Sequence, residues 1–360
     1  MRDAALSFAD AGIRVVSPKV DLSEAAFGAY VTYAGFTGDG AVAVATFADG
    51  AIRSMPAAAD ADDMALAIRF GAMPLAAAPD ADGRGTLIGT DDGRLLRFAP
   101  GEDLRVLAGF PGAWIENVTA HPTTGLRAFS EGRTVHVLDR GGASVAQFAD
   151  HPSTPTGIVF SPAGDRVAVS RYDGVSVWPV CGGPAEELSW HGSHTVVSWS
   201  PDGRFIVTAM QENEIHCWRL ADGKSMKMSG YPRKIRALSW TADAKYVAAS
   251  GADTVTAWRC DGDGPAGRAP LEFGYVYEGI VTRVAARPMG PGGAGGCVVA
   301  GAYDDGTVMI GDLEKGDAVI ARPGDGSPGT SLAWSPDGQT LIAGGAEGAV
   351  AMIKVAEAIW

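Results

Sequence analysis

Cysteine is scarce in this chain. The four residues Cys181, Cys217, Cys260 and Cys297 lie far apart in 360 residues, with no CxxC pair among them. Such thiols supply neither a zinc knuckle nor a redox motif, and they are read as reduced and structural, in a cytoplasmic protein. Histidine is also scarce, six residues in all, which is few for a histidine-based metal or catalytic centre. Met1-Arg2-Asp3 carries an acid at once and no apolar segment with a cleavage site follows, so no signal peptide is read. No uninterrupted apolar run approaches the roughly 18 residues of a membrane helix, and no membrane association is expected. Basic residues are outnumbered, 29 against 42 acidic, for a net charge of −13. They are mostly dispersed singly, which argues against a nucleic-acid partner. Arg233-Lys234-Ile235-Arg236 is the local exception, read as a solvated edge.

Glycine and proline are plentiful, 49 and 21 residues, and are scattered rather than pooled in a linker. With an apolar content of 46 % this suggests many short strands joined by many turns around a sizeable core. A phrase recurs: an apolar strand, an aromatic, then a Ser-Pro-Asp-Gly-like turn. It is clearest at Trp199-Ser200-Pro201-Asp202-Gly203 and Trp334-Ser335-Pro336-Asp337-Gly338. Taking the proline position as marker gives Gly38, Pro79, Pro122, Pro162, Pro201, Ala242, Pro288 and Pro336, at intervals of 39 to 48 residues. About eleven residues later comes a second turn, as at Asp49-Gly50, Asp92-Gly93, Asp173-Gly174 and Asp305-Gly306. Asp-Gly between apolar runs is hairpin chemistry. Two hairpins per unit predict four antiparallel strands, for example Thr195–Ser200, Phe205–Met210, Glu214–Arg219 and Ser225–Met228. A bulky apolar residue usually ends the third strand, with Gly311 the exception.

Four strands at a period near 40 to 45 residues predict an all-β, closed β-propeller occupying residues 1–360 as one domain. Blades are expected to begin near 30, 74, 116, 156, 195, 234, 280 and 330. Eight blades are favoured, with seven the alternative if one unit packs outside the ring. The last unit ends after its third strand, and Ile13-Arg14-Val15-Val16-Ser17 is unused. The segment 1–20 is therefore expected to complete the last blade and remove its open edge.

The spacing of Ser-Pro-Asp-Gly, Asp-Gly and a terminal tryptophan resembles the WD-repeat family along essentially the whole chain. The resemblance is degenerate: Trp178, Trp218 and Trp258 are followed by Pro179, Arg219 and Arg259, so the Trp-Asp dipeptide is missing. It implies a buried hydrogen-bonded tetrad, for which His151, Ser170, Asp173 and Trp178 offer the four residue types.

Catalytic signatures are weak. No GxSxG elbow is present, the Gly290–Gly296 and Gly324–Gly329 stretches lack the strand–loop–helix setting of a phosphate loop, and the Asp-Gly turns offer isolated acids rather than converging calcium ligands. His191 and His194 are weak metal candidates without a third ligand in the same loop; no metal and no cofactor are expected. What remains is surface. The inter-blade loops and middle hairpin turns gather Trp114, Arg171, Tyr172, Met210, Gln211, Tyr231, Arg233, Phe273, Tyr275 and Tyr277 on one face, with Trp190 and His191 at its rim. Aromatics and arginine dominate protein hot spots. The reading is a non-catalytic, monomeric scaffold or adaptor that binds one or more proteins or peptides on that face. The alternative is a propeller enzyme, or a small-molecule or metal binder, that uses the central channel.

Overall fold

The computed structural model describes residues 13–14, 20–149, 151–289 and 296–356. The architecture is an all-β propeller of antiparallel blades. Its strands form seven sheets. The first contains Val31–Phe36, Val42–Phe47, Ala51–Pro56 and Ala65–Arg69 in sequence order, and most others repeat this four-strand plan. Core residues are shared between neighbouring sheets: Phe205, Cys217 and Met226 pack with Trp240, Val247 and Trp258 of the next. Both faces of each sheet are thereby covered, which is why the strands read as mostly apolar.

The sheet count corrects the eight expected from the markers. Two sequence units share one six-stranded sheet through a pair of 14-residue strands, Arg166–Pro179 and Glu186–Trp199. The Asp173-Gly174 turn is one residue shorter than its relatives. Asp173 takes φ 64° and Gly174 φ 137°, and Tyr172 still pairs with Ser193, so the ladder runs through the turn instead of ending there.

The Ser-Pro-Asp-Gly turns share one hydrogen-bond device. The hydroxyls of Thr37, Ser161, Ser200, Thr241 and Ser335 each donate to a carboxylate, of Asp39, Asp165, Asp202, Asp243 and Asp337 respectively. Each also accepts the backbone N–H five residues on, as from Phe205 to Ser200 at 2.9 Å. Three units lack the hydroxyl, and there the residue in its place reaches the following unit. Asp80 holds Arg127, His121 Nε2 meets the Pro162 carbonyl at 3.1 Å, and Arg287 donates to the Gly338 carbonyl at 2.6 Å. In the second unit this turn is therefore Asp80-Ala81-Asp82-Gly83, with Gly83 N donating to the Asp80 carbonyl; the Pro79 marker stands two residues early against Pro201 and its relatives. At Gly311 the third strand lacks its bulky residue because the Phe273 ring of the preceding sheet fills the site; a Cβ there would lie 2.5 Å from that ring.

The last sheet takes its fourth strand from the N-terminal region, but from a different segment than expected. Val20–Ala26 runs antiparallel to Ala349–Val355, from Val20 opposite Val355 to Ala26 opposite Ala349. Ile13–Arg14 instead pairs in parallel with Ala318 and Val319 of the neighbouring sheet, and Val15, Val16 and Ser17 lie outside the described residues. Most of the Gly290–Gly296 stretch also lies outside them. The first and last sheets meet directly: Ala34 N donates to Ser331 Oγ at 2.8 Å, and Val31, Ala43 and Ala45 pack with Ile342, Val350 and Met352.

Candidate functional site

The structure separates the ten expected contact residues into two groups. Trp114, in the loop after Arg105–Gly109, is 61 % exposed; Tyr172 is 50 % exposed, and Tyr277, in the loop before Val281–Ala286, 76 %. Tyr275, Gln211 and Arg233 are exposed as well. The other four are buried, which corrects their assignment as contacts. Tyr231 accepts a 2.7 Å hydrogen bond from Trp258 Nε1. Phe273 fills the space over Gly311, and Met210 is buried with its methyl against Gly192. Arg171 is a strut: it donates to Ser176 Oγ at 2.9 Å and to the Tyr172 carbonyl at 2.8 Å, and pairs with Glu187. A guanidinium held this way fixes the hairpin that carries Tyr172.

One subset is brought together. The Asp173 carboxylate receives His191 Nδ1 at 2.9 Å and the Gly192 N–H at 3.1 Å, so the short turn grips the opposing strand. His191 meets the Tyr172 ring edge-on at 5.9 Å, and the Tyr172 N–H donates to Ser153 Oγ. Next to His191, Trp190 stacks at 4.0 Å on His216, which also meets the Trp218 ring edge-on at 4.4 Å. Tyr172, Trp190 and His191 thus form an exposed aromatic knob on a pinned hairpin. Its ordering entropy is met by the fold rather than at the moment of binding.

The expected tetrad is not formed. Trp178 Nε1 donates to His151 Nε2 at 3.0 Å, but Ser170 bonds within its own sheet to Thr156 and Gly157, and Asp173 belongs to the His191 turn. In the next unit His194 Nδ1 pairs with Thr208 Oγ1 at 2.7 Å and its Nε2 with the Trp190 carbonyl at 3.0 Å. With both ring nitrogens engaged, His194 has no free lone pair to join His191 on a metal. Among the described residues, no three His, Cys, Asp or Glu side chains converge as metal ligands.

Burial pushes the His216 imidazole down to about 3, helped by His194 and Lys227, and burial lowers His136, His151 and His194 as well. Neither His216 nitrogen has a hydrogen-bond partner among the described residues. A proton on His216 therefore meets no acceptor, and the folded state keeps the ring neutral while the unfolded chain binds a proton below about pH 6.5. Stability present above pH 6.5 is lost as pH falls towards 3, by roughly 2 kcal/mol at pH 5 from this ring alone. His216→Phe keeps the stacking and should flatten the dependence of the urea midpoint between pH 7 and pH 5; an unchanged slope would show that other groups carry it.

Sequence reasoning missed Tyr30 and Met73, both exposed on inter-sheet loops, and Arg283 on an innermost strand. Tyr30 and Met73 stand between small or apolar neighbours, Ala29 and Val31 for one and Ala72 and Pro74 for the other, and only the fold reveals their exposure. No helix among the described residues is long and apolar enough to cross a membrane.

Comparison with known proteins follows the same repeats. The family model for the anaphase-promoting complex subunit 4 WD40 domain matches residues 158–243, and that for the WD domain, G-beta repeat, matches residues 329–352. The chain is 25 % identical over 167 residues to WD repeat-containing protein 90 of Homo sapiens, covering 43 % of this chain and 10 % of that protein. It is 25 % identical over 205 residues to Protein HIR1 of Kluyveromyces lactis, covering 48 % of this chain and 22 % of the relative. In fold it is similar to the C-terminal WD40 domain of Sif2, with a TM-score of 0.73 at 15 % identity over 93 % of this chain and 98 % of the other. The computationally designed Ika8 protein gives 0.72 at 19 % identity, over 92 % of this chain and 98 % of that one. The two family-model matches and the two relatives support a WD-repeat family for this chain, and the solved structures show the propeller fold.

Proposed function

We propose that this propeller is a non-catalytic adaptor that holds a protein or peptide on the face built from its inter-sheet loops and middle hairpin turns. WD-repeat propellers typically mediate protein interactions, which supports the class of function. The observation that carries the site is the pinned knob of Tyr172, Trp190 and His191, which offers aromatic area at little further entropic cost. In this reading the propeller is monomeric, cytoplasmic and closed by Val20–Ala26, and it does not take nucleic acid. Four free thiols and the net charge of −13 support compartment and partner class, and the pairing of Val20–Ala26 with the last sheet supports closure.

The test is a triple variant, Trp114→Ala, Tyr172→Ala and Tyr277→Ala. All three side chains are solvent-facing, so the fold should survive. A partner captured by the wild type should be lost, with a drop in affinity on the order of a hundredfold or more. Capture should persist when Leu66, Val106 and Val145, exposed on outer strands, are changed to Ala instead. Loss with the outer set and retention with the loop set would remove this reading.

A further inference from the structure

Arg233, Lys234 and Arg236 lie in the loop that enters the innermost strand Leu238–Trp240, and Arg283 lies in the next innermost strand, Val281–Ala286. Elsewhere on this acidic protein many guanidiniums are matched by carboxylates: Arg97 with Asp82, Arg204 with Asp202, Arg219 with Asp222, Arg259 with Asp261, Arg322 with Asp325. Among the described residues, none of Arg233, Lys234, Arg236 and Arg283 has a carboxylate within ion-pair distance. Lys234, Arg236 and Arg283 line one cleft of about 320 Å³, whose walls also include Thr195 and Gln211.

The backbone that presents these cations is fixed. Ser250 Oγ accepts the N–H groups of both Arg236 and Ala237, at 2.9 and 3.0 Å, and Arg233 N donates to the Gly251 carbonyl at 3.1 Å. Ile235 is buried beneath, and the segment presses on Gly251 so closely that a Cβ there would lie 2.9 Å from the Arg233 carbonyl. Arg283 is half-buried, and the one hydrogen bond seen for its guanidinium goes to its own neighbour, the Thr282 carbonyl, at 2.9 Å. Its surroundings disfavour the charge: burial and the nearby Arg236 both lower its affinity for the proton, with only the Tyr30 hydroxyl opposing them. Like charges held together in a half-dry cleft without a counter-ion cost stability, and an anionic ligand would relieve that cost.

We propose that this cleft binds an acidic segment of a partner protein, its carboxylates engaging Arg236 and Arg283 with Lys234 and Arg233 at the entrance. The inference rests on the adaptor reading and names the chemistry of the partner. A protein segment is favoured over nucleic acid because three cations in one cleft, with Arg233 beside it, satisfy only a few carboxylates, while the net charge of −13 repels a long polyanion. The loop leading into the Arg283 strand also carries exposed Tyr275 and Tyr277, which suit apolar residues flanking the acids.

Fluorescence anisotropy with the full chain tests this, using a labelled peptide of alternating Asp and Leu, its Asn/Leu counterpart, and a thymidine oligonucleotide as competitor. The Asp peptide should bind the wild type and weaken as salt rises. Binding should fall roughly tenfold or more in Arg236→Gln/Arg283→Gln, and by a smaller factor in Arg233→Gln/Lys234→Gln, whose exposed side chains the fold does not need. Absent binding to the wild type, equal binding of the Asn peptide, undiminished binding by both double variants, or tighter binding of the oligonucleotide would each overturn the proposal. Retention of the captured partner by Arg236→Gln/Arg283→Gln, with loss in the Trp114, Tyr172 and Tyr277 variant, overturns the acidic-segment inference alone. Retention by both sets overturns the adaptor face as well.

Discussion

Removing residues 1–26 should abolish cooperative unfolding or lower the denaturation midpoint more than any single substitution considered above, whereas removing residues 1–19 should change it little. Val20–Ala26 pairs along its whole length with Ala349–Val355, and its side chains tie three further regions together. Val20 packs with Trp334, Leu341 and Ile353. Ser23 Oγ accepts the Ala61 N–H at 2.9 Å, and Glu24 pairs with Arg322. Without this strand, Ala349–Val355 becomes a bare, mostly apolar edge, a template for pairing with another chain. The shorter deletion removes, among described contacts, the two-residue pairing of Ile13–Arg14 with Ala318 and Val319. The longer deletion should also self-associate on size exclusion, and a peptide of residues 19–29 added in trans should restore the monomer, as strand addition does elsewhere. Equal midpoints for the two deletions would refute the role given to Val20–Ala26.

The second large effect is at Asp80, whose side chain is fully shielded from solvent. Its carboxylate receives Arg97 Nε at 3.0 Å and Arg127 through two nitrogens, in the turn of one unit and across to the next. The two guanidinium groups are 6 % and 3 % exposed, so they cannot turn to water. Arg97 keeps Asp82 and Glu102 when Asp80 is lost, but Arg127 retains only the carbonyls of Asp139 and Arg140. Asp80→Ala should therefore cost about 3–5 kcal/mol, the range for breaking a buried ion pair on one side. Ser200→Ala, at the equivalent turn position of another unit, removes a neutral hydroxyl and should cost about 1 kcal/mol. Chemical denaturation of the two variants side by side measures the contrast. Similar losses would mean that the ion cluster adds nothing to what the turn itself supplies.

Much of this architecture is legible from local chemistry. The hydroxyl–carboxylate turn needs Ser or Thr two residues before Asp in four of its five copies, and a sequence scan finds that pattern. The weak copies escape such a scan because Asp80, His121 and Arg287 do a different job there: they reach across to the following unit, and only the packed structure shows the reach. The expectation falls on Ile13–Ser17 because the repeat leaves that run unused. An outermost strand has one wet face, and Val20-Asp21-Leu22-Ser23-Glu24 alternates accordingly. The proposed face is partly legible. Trp114, Tyr172, Tyr275 and Tyr277 are exposed as their loop positions suggest, whereas Tyr231 and Phe273 occupy similar loop-proximal positions but meet Trp258 and Gly311. Those partners lie 27 and 38 residues away in sequence, across a blade or a blade junction. Arg283 is invisible for a related reason: a lone arginine among Thr282, Val284 and Ala285 gains meaning only from the neighbouring loop that carries Arg236.

Hydrogen–deuterium exchange on the propeller, alone and with its captured partner, tests the adaptor reading most directly. Protection should appear in the segments that carry Trp114, Tyr172, Trp190, Arg233 and Tyr277, and the Ser-Pro-Asp-Gly turns at the opposite ends of the strands should exchange unchanged. Protection confined to those turns or to the outer strands, with the aromatic loops unaffected, would contradict it.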